Sequence, residues 1–163
     1  MATLTATRAD SAFPVFKPGA GVVAAAYGTY SLTANVGAAD IAKMCKVPAG
    51  AVILGGTLYA ADIDTNATET LDMDVGWPAN GGSGTYDAAD SDGLGNFGVF
   101  TGDAFATGNV SNVTGVNYPL NGLLATGVLP TFTRETTIQV LFNAVAATFT
   151  AGSISLVVYY VVP

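Results

Sequence analysis

Carboxylates supply most of the reactive side chains in this chain of 163 residues: twelve are Asp or Glu, five are Lys or Arg, and none is His. Two carboxylate pairs stand out, Asp62 with Asp64 and Asp72 with Asp74. Residues i and i+2 of a strand lie about 7 Å apart. That falls inside the roughly 5–10 Å that separates the two carboxyl groups of a glycosidase. Such chemistry also needs a cleft and one carboxyl with a raised pKa. Carboxylates on the open face of a strand are expected to be solvated instead. A third group, Asp87, Asp90 and Asp92 followed by Gly93, suggests a calcium loop. A loop of the EF-hand kind requires oxygen ligands at its first, third and fifth positions and Glu at the twelfth. Counted from Asp90, the fifth position is Leu94 and the twelfth Thr101; counted from Asp87, the third is Ala89 and the twelfth Gly98. Neither register works, so a solvated acidic loop is expected and no metal site.

Other reaction chemistries lack their parts. Without histidine there is no imidazole base, no His-based triad and no His zinc site. The single cysteine, Cys45, has no partner for an internal disulfide and no base to activate it. It reads as a small buried hydrophobe. Gly19-Ala-Gly21 is a lone G-x-G with no preceding strand, and no phosphate loop motif occurs. Trp77, Tyr86 and Tyr118 are candidate stacking platforms for a sugar. No catalytic residue and no cofactor is expected, so function must come from surface and architecture.

The elements that carry these residues are strands. Pro48-Ala49-Gly50 is a turn, and Ala51–Ala60 a strand interrupted by Gly55-Gly56, as at a bulge or a close backbone approach. After a polar turn over Asp62–Asn66, Leu71, Met73 and Val75 alternate with Thr70, Asp72 and Asp74. Period 2 marks a strand with one wet face. The two strands are expected to pair antiparallel. Further strands are expected over Gly21–Ala34, Thr131–Phe142 and Gly152–Val162. Asp40 is expected to cap one helical turn with Ile41, Met44 and Cys45 inward, a short strand being the alternative. In the last strand Ile154, Leu156, Val158, Tyr160 and Val162 face inward, while Val157, Tyr159 and Val161 make the other face apolar too. A strand of that kind is covered on both sides.

Between these lie less regular stretches. Residues 1–21, with Pro14, Pro18, Gly19 and Gly21, form an extended N-terminal arm that carries Phe13, Val15 and Phe16. Trp77–Gly98 is a long surface excursion. Phe97–Phe105 holds a short element, Thr107–Gly115 a second polar loop, and Gly115–Val128 interrupted extended chain. Residues 77–131 together make a long loop insert in a single domain over 22–163. Three glycosylation sequons, at Asn66, Asn109 and Asn112, mark surface loops at best.

Only 10% of the residues are charged, against about a quarter in a typical soluble domain. A surface so poor in charge is expected to be covered by other protein. A net charge of −7 with scattered basic residues disfavours nucleic acid. The uncharged stretches are interrupted by Gly, Asn, Ser, Thr and Pro, and no membrane span is expected. The first residues, MATLTATRADSAFPVF, lack the charged start and apolar core of a secretory signal.

The pattern D-I-x-K-M-x-K-V-P-A-G-A-x-I-L-G-G, then D-I-D-T-N-A-T-x-T-L-x-M-D-V-G, then T-T-I-Q-V, then A-x-T-F-T-A-G-S-I-S-L-V-V-Y-Y resembles small virion proteins of tailed bacteriophages, the head decoration or cement proteins. The matching stretches are Asp40–Gly76 and Thr136–Val162; the longer Trp77–Thr131 stretch departs from the compact forms. The resemblance implies an antiparallel jelly-roll β-sandwich, an all-β fold. It also implies a non-enzymatic role on the capsid exterior, with the major capsid protein and other copies of the chain, as dimer or trimer, for partners. On that reading Phe13, Val15, Phe16 and Tyr159 contact the shell or sister copies. A tail or neck component and a carbohydrate-binding module are the alternatives.

Overall fold

A computed structural model of the protein describes residues 1–66, 69–99, 111–112, 115–120 and 128–163. Among these residues the strands are β1 (Thr3–Thr5), β2 (Val23–Leu32), β3 (Ile41–Val47), β4 (Val52–Ala61), β5 (Asp72–Trp77), β6 (Asp90–Val99), β7 (Ser111–Asn112), β8 (Gly115–Leu120), β9 (Thr136–Ala144) and β10 (Gly152–Val161). They form two five-stranded sheets. Sheet A runs β1-β3-β9-β5-β6 and sheet B runs β2-β10-β4-β8-β7.

The topology follows from four nested antiparallel pairs: β2 with β10, β3 with β9, β4 with β8, and β5 with β6. Successive pairs lie in alternate sheets, the winding of a jelly roll. The short β1 departs from this plan by pairing parallel to β3. The inner faces of the sheets interdigitate. Sheet A contributes Met44, Met73, Val75, Ile138, Val140 and Phe142; sheet B contributes Ile53, Leu58, Leu156, Val158 and Tyr160, all buried. Each large apolar side chain so placed contributes about 1.5–3 kcal/mol relative to exposure.

Several local expectations are borne out. The strand at 21–34 is β2, the Thr131–Phe142 strand is β9, and the last strand is β10, with its five predicted inward residues buried. The Gly55-Gly56 bulge is real. The β4–β10 register slips between Tyr159 and Tyr160, which face Gly55 and Ile53. Gly55 takes φ 141°, and a Cβ on Gly56 would come within 2.1 Å of the Val157 carbonyl oxygen.

Other expectations are corrected. β4 and β5 do not pair; they lie in opposite sheets. Their connection buries Ile63 and Leu71, so the chain is drawn over the edge of the sandwich rather than back along its own strand. The helical turn expected at Asp40 is instead strand β3. It has a partner on each side, β1 and β9, and the sheet satisfies its backbone. Asp40 caps a turn, accepting from Gly37 N at 2.7 Å and from Ala2 N. The excursion over 77–98 ends in a ten-residue strand, β6. Its sequence, DSDGLGNFGV, has low strand propensity. It pairs because β5 offers an edge and glycines admit the contact: a Cβ on Gly76 would lie 2.0 Å from the Asp90 carbonyl oxygen. The expected wet face of β5 is not fully wet, since Asp74 is buried and accepts from Asn143 Nδ2 at 2.6 Å. Residues 1–21 are not wholly irregular; they hold β1 and a 3-10 turn over Thr7–Ala9. The element expected at 97–105, the loop at 107–115, much of 115–128 and the sequon at Asn109 lie wholly or partly outside the described residues.

Candidate interaction face

Charge is divided between the two sheets. The strands of sheet A carry Lys43, Lys46, Asp72, Asp74, Asp90 and Asp92. The strands of sheet B carry no charged residue at all. Exposed large apolar residues follow the same division: Val23, Tyr27, Leu54 and Tyr159 lie on sheet B strands, and among the side chains described none lies on a sheet A strand. A sheet whose strands carry no charge and leave several large apolar side chains exposed is unusual in a protein alone in water.

The centre of this face is built by register. Tyr159 stands opposite Ala25 on one side and Gly55 on the other. Its ring is flanked by the two smallest side chains available, so it rises above the sheet and is 47% exposed. Tyr27 pairs with Val157, and Val161 lies between Val23 and Val52. Toward the other end the face turns polar but stays neutral, with Thr29 Oγ1 and Ser155 Oγ 2.8 Å apart.

The arm borders this face at the β2 edge. Phe13 and Val15 are half-buried, while Phe16 is 66% exposed. The body holds the arm by its carbonyls: Lys46 Nζ donates to Phe13 O at 2.8 Å and the Tyr160 hydroxyl to Phe16 O at 2.7 Å. Burial, and then the neighbouring Cys45, push the Tyr160 phenol up, which keeps it a donor. The Arg8 guanidinium lies 3.8 Å from the Tyr27 ring centroid and 4.9 Å from that of Phe13, within cation–π range. A cavity of about 50 Å³ remains under the arm. Of the four residues singled out from sequence, Phe13, Val15 and Phe16 line this cavity together with Ala25, while Tyr159 stands on the sheet as the cross-strand partner of Ala25.

The chemistry-bearing residues have structural posts. Asp64 is buried and accepts from the backbone N–H groups of Thr70, Leu71, Ala147 and Thr148 at 2.8–3.2 Å. Burial pushes its pKa up, but those donors outweigh it and hold the carboxyl at about 2. Asp87 is also buried, so the expectation of a solvated loop fails there. It accepts from the Thr133 hydroxyl, Thr133 N at 3.0 Å, Asn80 Nδ2 at 2.7 Å and Gly84 N at 2.7 Å. The Thr133 hydroxyl above all holds it far below the usual carboxylate range. Each carboxylate ties together two connections distant in sequence: Asp64 joins β4–β5 to β9–β10, and Asp87 joins β5–β6 to the segment before β9. Asp90, beside Asp92, is shifted upward by burial first and then by that neighbour. Among the described residues no three His, Cys, Asp or Glu side chains converge as metal ligands would.

Cys45 is buried, and burial pushes its thiol to about 12. Trp77 is no stacking platform. It is buried against Phe132, edge to face with centroids 5.1 Å apart, and its indole N–H donates to Ala88 O at 2.9 Å. Tyr86 packs partly buried against the core, and the Tyr118 side chain lies outside the described residues. No described helix is long and apolar enough to cross a membrane. Sequence reading missed the division of charge between sheets, because it depends on which strands pair. The signal was present as uncharged strands, visible only once sorted by topology.

No protein-family model and no curated protein matches the chain. Solved structures do. A chain of the cyanophage Pam1 capsid asymmetric unit is 28% identical, with a TM-score of 0.63, over 94% of this chain and 96% of that one. A chain of the Ralstonia phage GP4 capsid is 23% identical with a TM-score of 0.72, over 99% of both chains. A chain of the acid-stable capsid of Helicobacter pylori bacteriophage KHP30 is 13% identical with a TM-score of 0.56, over 88% and 90%. The latter two share the fold. In each case the likeness covers 88% or more of both chains. The likeness to the Pam1 capsid chain supports a structural, capsid-related protein.

Proposed function

We propose that this chain is a non-enzymatic structural virion protein that binds the outside of a phage capsid and cements neighbouring shell subunits. The observation that carries this reading is the outer face of sheet B, whose strands carry no charge, with Tyr159 raised at its centre and Arg8 of the arm over Tyr27 at its β2 edge. The likeness to a chain of the Pam1 capsid supports the virion setting. Cementing requires no cofactor and no reacting group. It requires a surface that gains free energy on leaving water and many copies to multiply a modest contact. Tyrosine suits such a surface, since it adds a large rigid contact area and one polar tip. Phe13, Val15 and Phe16 extend the contact toward the shell or a sister copy, and the charged strands of sheet A remain toward solvent. The partners are the major capsid protein and further copies of this chain.

Copy number per particle, from quantitative mass spectrometry of purified virions, tests the reading. A number near one per major shell subunit is expected. A handful of copies would move the protein to the tail or neck, and absence from particles would overturn a virion role. Tyr159→Glu places a charge at the centre of the face and is expected to lower occupancy at least tenfold; unchanged occupancy would move the contact away from sheet B.

A further inference from the structure

We infer that residues 1–18 form an exchangeable strap, and that the cleft holding them accepts the same segment from a second copy of the chain. An edge strand is a template for unwanted pairing and is normally shortened, charged, bulged or covered. Among the described residues the sheets have four edges, three of them protected by their own residues: β1 has three residues, β7 has two, and β6 carries Asp90 and Asp92 and meets β5 through two register shifts. The fourth, β2, has ten residues, no charge, no proline and an unbroken register with β10. Its protection is the strap, which passes beside Ala25, Ala26 and Tyr27. The strap forms no backbone hydrogen bond to β2 among the described residues. It covers the edge without pairing with it.

The strap is also lightly held. Its buried residues are Ala6, Ala9 and Pro18, and Leu4 packs partly buried against the core. Its main-chain anchors are the three-residue parallel pairing of β1 with β3, the flanking bonds Ile41 N to Ala2 O and Ala6 N to Lys43 O, and the bond from Ala2 N to the Asp40 carboxylate. The Lys46 and Tyr160 clasps grip carbonyl oxygens, groups that any copy presents identically. The strap joins β2 through 19–22, where Gly21 takes φ +74°, a conformation open to a hinge glycine. Exchange of an identical element between copies replaces each contact with its equal, so it is a low-cost route to an oligomer. The uncovered β2 edge supplies the reason for the cleft to be filled by one copy or another.

The test does not depend on the capsid reading, because it uses the isolated full chain. Asp10 of the strap and Lys43 of β3 line one hollow, and a carbodiimide joins such a carboxylate and amine without a spacer. Light and heavy isotope-labelled protein, mixed at high concentration and then cross-linked, is expected to give mixed-isotope Asp10–Lys43 products. Tyr160→Phe, which removes one clasp, is expected to make them appear about fivefold faster. Products confined to one isotope would overturn exchange, and a rate unaffected by the loss of the hydroxyl would overturn the Tyr160 clasp as a hold on the strap. A Thr5→Cys/Lys43→Cys variant, whose sites are Cα partners in the β1–β3 register, gives an independent answer. Oxidised multimers support exchange; oxidised monomer alone overturns it.

Discussion

Asp64 and Asp87 show how little a residue type says about its post. In sequence both belong to acidic groups that invite catalysis or calcium binding; in the fold each is buried and draws two loops together through hydrogen bonds. Replacing Asp64 with Ala strands four backbone donors. It is expected to cost about 3 kcal/mol, measured by chemical denaturation. The pH dependence follows from the sign of the shift. The Asp64 carboxyl titrates at about 2 in the folded state, below the ordinary value of 3.8. The unfolded chain therefore binds the proton first, and the stabilisation is complete above about pH 4 and is lost as pH falls toward 2. Asp87 shifts in the same direction and adds to the effect. The melting temperature is expected to fall across that window, and Asp64→Asn to flatten the fall. A profile identical to that of the unaltered chain would remove Asp64 from its role.

Among the elements, strands with plain alternation were legible and their partners were not. β9 and β10 alternate in apolar and small or polar residues, at least along part of their length, and both are where periodicity predicts. β6 was hidden because Gly, Asp and Ser resemble a loop, and only the β5 edge makes it a strand. The β4–β5 hairpin misled because adjacency in sequence is the usual guide to pairing, and a jelly roll breaks that guide at each crossing. The arm residues and Tyr159 were legible as exposed apolar groups, but the charge-free face behind them required the strand order. Gly28 offered no signal in sequence. In the fold a Cβ there would lie 1.9 Å from the Met44 carbonyl oxygen, so this glycine lets β2 close on β3 at the corner of the sandwich. Gly28→Ala is expected to lower stability by about 1–3 kcal/mol, read as a drop in melting temperature; an unchanged midpoint would mean that the corner is slack.

At the scale of the whole molecule, the division of charge makes the two broad faces unlike solvents. Binding through sheet B should owe little to ion pairing, although the chain carries a net charge of −7. Occupancy on capsids is expected to persist when ionic strength rises from about 0.05 to 1 M, where screened surface charges cease to matter. Release by salt, measured by sedimentation of particles, would place the contact on sheet A. One position in the topology has a consequence in time. β10 lies between β2 and β4 in sheet B, yet it follows both in sequence by about a hundred residues. A ribosome delivers the two flanks long before the strand that separates them, and closure of so distant a pairing is slow. Until β10 emerges, no Tyr159 exists and the adhesive surface has not been made. On the proposed reading, an unfinished copy carries the arm residues but lacks the centre of the face that would grip a shell, so tight binding is expected only once the last strand is in place.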